Sequence, residues 1–223
     1  MLIFRLVLIL IVMLFCAIPV LAQGEYLKKG ENGFELMGGY LFGGEDDATG
    51  YGIQVSYSFL GDLDIGFAMA NVKGKINDFY VDGSSTAYSP FIIIHFNKKN
   101  RETLPLAFAL MIGAESINLK AKRIDLYESN YSSSLLKLGV SVYGDLLSSD
   151  NTIIQPVVQL MFNKNIKDAN DMFPVIGVGA SMFFKLSKSN SAALRINPMS
   201  TIYKGEASHS LNIGLILPIE AVE

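Results

Sequence analysis

The sequence predicts an all-β protein: a single antiparallel up-and-down transmembrane barrel of about ten strands, with eight as the alternative count. Three observations predict it. Large apolar residues recur at every second position through ten separate stretches. The connections between those stretches alternate between long and short. The chain also opens with a segment laid out as a cleaved signal peptide.

Met1–Ala22 carries one charge, Arg5, then an apolar run from Leu6 to Ile18, then Pro19 and Val20-Leu21-Ala22. Small residues at the two positions a signal peptidase inspects place the cut before Gln23. The alternative is an uncleaved anchor, for which Leu6–Ala22 only reaches the low end of a spanning length. Cys16 lies in this run, so the processed chain would hold no cysteine, and with it no disulfide and no thiolate metal site. Of 18 basic residues only Arg5 leaves with the leader, against 21 acidic ones. A mildly acidic chain without a basic cluster excludes nucleic acid as a partner. The expected organisation is a signal peptide over 1–22, an N-terminal periplasmic segment over 23–32, the barrel over 33–217 and a tail over 218–223.

The elements follow in order. Phe34, Leu36, Gly38, Tyr40 and Phe42 form one face of the first strand. Tyr51–Leu60 (YGIQVSYSFL) is the second, with Tyr51, Ile53, Val55, Tyr57 and Phe59 against Gly52, Gln54, Ser56 and Ser58. Leu63–Ala70 is the third, with Leu63, Ile65, Phe67 and Met69 on its greasy side. Ala87–Phe96 is the fourth and is less clean, since Phe91 and Ile93 fall on the face that should be small. The fifth, Leu104–Glu115, has apolar residues at every even position, opposed by Ala107, Ala109 and Gly113. The sixth to eighth centre on Leu136–Val142, Ile154–Phe162 and Ile176–Phe184, the ninth on Leu194–Asn197 and the tenth on Ser210–Leu217. Nine to twelve residues per strand is the length a tilted strand needs to cross a bilayer.

The connections sort by length. One set is Gly43–Gly50, Lys73–Thr86, Ser116–Ser133, Asn163–Met172 and Lys204–Ala207. The other is Leu60–Asp62, Asn97–Thr103, Gly144–Asn151 and Leu186–Ser191. The two longest fall in the first set and the tightest turn in the second. A membrane barrel with its long loops outside shows this asymmetry. The face opposite the large residues is mostly Gly, Ala, Ser, Gln and Asn, which suits a narrow lumen better than a watery surface. The large residues are therefore expected to meet lipid. A secreted soluble β-barrel that binds a ligand is the competing reading.

With its signal peptide, stretches such as YGIQVSYSF and VIGVGASMFF, and long-out, short-in loops, the chain resembles the small porin-like outer-membrane β-barrel proteins of Gram-negative bacteria. The resemblance spans Gly33–Leu217 and is architectural, without a motif. It implies residence in the cell outer membrane and a monomer folded by the outer-membrane insertion machinery, and it carries no particular activity. Three features depart from it. The chain runs past Leu217 as PIEAVE, and it has no Trp, so Tyr40, Phe42, Tyr51, Phe59, Tyr88 and Phe96 must serve as interfacial girdles. Pro90, Pro105, Pro156, Pro174 and Pro198 fall in or beside strands, where bulges or strand ends are expected.

The candidate site residues are inward charges. Asp64 and His95 share the lumen parity near one end of neighbouring strands, and Glu115 and Lys137 do so near the other end. Glu35 and Arg195 are separated only by the tenth strand. Neutralising pairs that stabilise and plug the lumen are the plain reading, because an unpaired inward charge is costly. A charge-lined selectivity filter is the alternative. Phe91, Ile93, Met111, Tyr143, Met161 and Phe183, all on the inward parity, predict an occluded interior.

Catalytic chemistry finds no support. Ser208, His209 and Ser210 are sequence neighbours whose side chains alternate between faces, so His209 reads as an interfacial histidine. Glu45, Asp46 and Asp47 match no calcium-loop spacing, and Lys120, Lys122 and Arg123 read as an ordinary charged loop that could meet anionic sugars. No cofactor, metal or catalytic residue is expected. Outer-membrane lipid and lipopolysaccharide are the expected partners. The expected function is a non-enzymatic barrel with a structural or surface-interaction role and at most a narrow pore. Porin-like passage of small or apolar solutes is the alternative.

Overall fold

The structure, a computed structural model, describes residues 26–27, 30–43, 48–76, 81–96, 106–122, 128–167, 172–186, 192–203 and 206–219. The leader over 1–22, Glu45–Asp47, Pro105, Arg123 and residues 220–223 lie outside the described residues. Ten long antiparallel strands form the wall: β1 (Asn32–Gly43), β2 (Thr49–Phe59), β3 (Leu63–Ile76), β4 (Val81–Phe96), β5 (Leu106–Lys122), β6 (Glu128–Gly144), β8 (Thr152–Asn165), β9 (Met172–Lys185), β10 (Ala193–Tyr203) and β11 (Glu206–Ile219). A two-residue strand, β7 (Leu147–Ser148), pairs back on β8 within the turn after β6, where an open loop was expected.

Each long strand pairs with its sequence neighbour, and β1 pairs with β11 from Asn32↔Ile219 to Gly43↔Ser208, so the sheet closes on itself. Closure leaves no free edge. The expected ten-stranded up-and-down barrel is therefore present, running from Asn32 to Ile219.

The period of two sets the faces. Tyr51, Ile53 and Phe59 are among the exposed residues of β2, with Tyr51 at 65%, while Gln54, Ser56 and Ser58 are buried. The same parity holds around the ring. Leu36, Phe67, Ile92, Ile112, Leu138, Val158, Ile176 and Ile213 all point outward. An apolar band of this kind needs a hydrocarbon solvent.

Two loop expectations are overturned. Lys73–Thr86 and Ser116–Ser133 are largely strand, because β3 and β4 pair out to Ile76↔Val81 and β5 and β6 out to Lys122↔Glu128. The alternation continues there with its chemistry reversed. On β5 the outward face turns from Ile112 to Ser116, Asn118 and Lys120, while Ile117 and Leu119 are buried inside. The backbone ladder needs only a partner, and its side chains can suit water as readily as lipid. A search for greasy outward residues misses such strands.

The prolines are handled without bulges. Pro90 and Pro198 sit mid-strand, where the β4–β5 and β10–β9 ladders skip pairs and resume in unchanged register. Pro156 and Pro174 lie just beyond the last β6–β8 and β10–β9 pairs. Lacking an N–H, each is accommodated where one ladder bond is already missing.

Candidate functional site

The interior is the candidate site, and its two walls differ. The inward residues of β11, β1, β2 and β3 are mostly small or polar, among them Ser210, Asn212, Gly39, Gly52, Gln54, Ser56, Ala68 and Ala70. Those of β4 to β9 include large residues beside small ones: Phe91, Ile93, Met111, Leu135, Tyr143, Met161, Phe173 and Phe183 are all buried as their parity predicts. Most of them join one apolar cluster that runs on to Met199 and Tyr203 of β10.

Glycines make room for this filling. A Cβ on Gly66 would collide with the Phe91 ring, and one on Gly179 with the Met199 sulfur. Each bulky side chain thus lies over a bare stretch of wall, the close approach only glycine allows. Between β1, β2, β3 and β11 a cavity of about 20 Å³ remains, lined by Met37, Gly39, Gln54, Ala70 and Asn212 among others. That is room for one water molecule.

The structure brings together all three charge pairs. Glu35 and Arg195, both fully buried, meet at 3.3 Å. They do so across β11 because Arg195 faces Gly214, where a Cβ would stand 3.2 Å from the Glu35 carboxylate. Arg195 also donates to the Ser181 hydroxyl at 2.9 Å and stacks over the Phe183 ring, 5.3 Å from its centroid. Packing on an aromatic face suits a weakly hydrated guanidinium.

His95 Nε2 lies 2.8 Å from Asp64, and its Nδ1 lies 2.8 Å from the Tyr143 hydroxyl. The imidazole thus joins Asp64 and the Tyr143 hydroxyl, one through each ring nitrogen. Tyr143 reaches His95 from β6 over Ala107 and Ala109 of β5. Toward the other end, Lys137 pairs with Glu115 within the buried interior. Sequence reading placed these pairs but missed their supports, Tyr143 and Ser181. The inward parity of both, read together with the small residues between them and the charges, was the available signal.

On the outer surface His209 accepts or donates a 2.8 Å hydrogen bond with Ser200, its register partner on β10, and its ring lies 5.7 Å from Phe42. The neighbouring Ser208 and Ser210 point inward. The histidine is satisfied at an interface by a hydroxyl that only strand pairing reveals. Among the described residues no cluster of acidic, histidine or cysteine side chains could hold a metal ion.

No protein-family model matches the chain, and no curated protein sequence matches it. Among solved structures, it superposes on the β-domain of the Bordetella autotransporter BrkA with a TM-score of 0.56 at 8% identity, covering 85% of this chain and 99% of that one. This is the outer-membrane β-barrel fold. The barrel is also similar to the N-terminal barrel domain of Pseudomonas aeruginosa OprF, with a TM-score of 0.41 at 14% identity over 86% of this chain and 100% of the other. Ail of Yersinia pestis gives 0.38 at 11% identity over 86% and 99%. Among the described residues, buried side chains of β3 to β10 pack into one cluster inside this barrel.

Proposed function

We propose that the chain is an integral outer-membrane barrel with a sealed lumen and no enzymatic role, which serves by its structure and its surface. The apolar cluster from Phe91 and Ile93 across Met111 and Met161 to Tyr203 carries this reading, since its buried side chains pack against one another inside the lumen. The surface on offer is the pair of long hairpins β3–β4 and β5–β6. Their outward Asn71, Lys73, Thr86, Asn118 and Lys120 lie just past the apolar band. Hydroxyls, amides and ammonium groups at that height suit the sugar and phosphate groups of lipopolysaccharide. The barrel acts as a monomer after delivery by the outer-membrane insertion machinery.

Reconstitution in planar lipid bilayers tests the proposal. The expected record is a quiet baseline; stable unitary steps would overturn it. The second reading, passage of small solutes, draws on the small-residue wall of β11 and β1–β3 and expects those steps.

A further inference from the structure

At the short-turn end of the barrel, Tyr26 and Leu27 of the N-terminal segment pack against inward residues of the wall. Leu27 is 2% exposed and packs on Phe183 and Ile216, both fully buried. The Tyr26 ring stacks on Phe183 with centroids 5.1 Å apart and planes 25° from parallel, and Ile153 borders the same cluster. Phe183 in turn carries Arg195 on its ring, so the sequence Leu27–Phe183–Arg195–Glu35 forms a stack that leads from the mouth to the buried ion pair.

The segment is held at a second point. Gly30, at φ +94°, turns the chain, and its N–H donates to the Leu60 carbonyl at 2.8 Å. Leu60 N–H donates to the Asn32 side-chain oxygen at 2.9 Å. Leu60 itself has φ +52° beside Gly61 at +66°, a tight turn that a leucine adopts only when its surroundings impose it. Tyr26 and Leu27 thus touch the β8, β9 and β11 wall, while Gly30 and Asn32 hold the β2–β3 turn.

One feature works against the closure. The Tyr26 hydroxyl is buried and has no hydrogen-bond partner among the described residues. Burying an unpaired hydroxyl is unfavourable and offsets part of what the ring and Leu27 contribute.

We propose that Tyr26 and Leu27 form a releasable latch over the short-turn mouth, which keeps water from the base of the lumen and from the Glu35–Arg195 pair. The latch stands apart from the sealed-lumen reading. Unitary steps in a bilayer would overturn that reading while leaving the latch intact, because Leu27, Phe183 and Ile216 form a cluster separate from the main apolar one.

Cysteine labelling tests it, since Cys16 is the chain's one cysteine and lies in the expected leader. Leu27→Cys and the inward Ser58→Cys are compared with the exposed Ser149→Cys in folded barrels, using a bulky maleimide. Leu27→Cys and Ser58→Cys should react at least about tenfold more slowly than the control. Adding Phe183→Ala should speed both toward the control rate, with the barrel still folded by heat-modifiable gel mobility. Adding Tyr26→Phe, which removes the unpaired hydroxyl, should slow Ser58→Cys labelling further. Two results would overturn the latch: folded barrels in which Leu27→Cys reacts as fast as Ser149→Cys, or a Phe183→Ala change that leaves both rates where they were.

Discussion

The strand β5 contains two environments, and comparing them explains the molecule. From Leu106 to Ala114 its outward residues are apolar, and its inward ones include Ala107, Ala109 and Gly113. From Ser116 to Lys120 the outward residues are polar, and Ile117 and Leu119 are buried inside. The first stretch is dressed for lipid and the second for water, on one unbroken backbone ladder paired throughout with β6. Lipid offers no gain for hiding a large side chain, so the lumen there can hold small and charged residues. Above the lipid the hydrophobic effect returns and drives the large residues inward. The interior charge pairs sit at or below that change of solvent, with Glu115 at the crossing.

The comparison can be broken at its most costly point first. Arg195→Ala leaves Glu35 buried without its cation. It should destabilise the folded barrel by about 3–5 kcal/mol, read from urea unfolding in bilayers. Glu35→Gln combined with Arg195→Met should recover much of that loss. A single substitution as mild as a surface change would show that the pair is hydrated in the native state.

Phe91→Ala comes next. It empties the space above Gly66 and should cost about 3 kcal/mol or more. In bilayers it should also give flickering conductance where the parent chain is silent.

Two substitutions then compare the bands directly. Val55→Lys places a charge on the outward face within the apolar band and should cost about 2–4 kcal/mol. Asn118→Leu, outward on β5 above the band, should stay within about 0.5 kcal/mol. Equal costs at the two positions would mean that one solvent surrounds both.

The smallest effect concerns Tyr26. Burial, and then the Glu31 carboxylate, push its hydroxyl above the ordinary 10.0. A raised value means that the docked state holds the proton more tightly than the released one. Latch stability is therefore full below pH 10 and falls as pH rises through the docked value. The labelling rate of Ser58→Cys, taken as a ratio to that of Ser149→Cys so that thiol ionisation is common to both, should be flat up to pH 10 and rise beyond it, with Tyr26→Phe abolishing the rise.

Much of this architecture is legible in the sequence because a barrel wall is written in parity, and parity survives without knowledge of register. The faces of β2, β5 and β9 and the bulky inward set from Phe91 to Phe183 could be read directly. So could the partners Asp64–His95, Glu115–Lys137 and Glu35–Arg195, because strands in a meander have fixed neighbours. Three things were hidden. The upper ends of β3 to β6 read as loops in the sequence because polar residues replace the greasy outward ones that mark a strand. Ser200 opposite His209 depends on register, which the sequence does not print. The docking of Tyr26 and Leu27 is a tertiary contact of an irregular segment and has no period at all.

The most direct measurement is solvent access at spin labels placed singly at 55, 56, 117 and 118 in barrels reconstituted in lipid. Oxygen should reach the label at 55, a water-soluble nickel complex should reach the label at 118, and neither should reach 56 or 117. Labels at 55 and 117 shielded alike, with nickel reaching 56, would place the large residues of both stretches in one buried core and contradict the account.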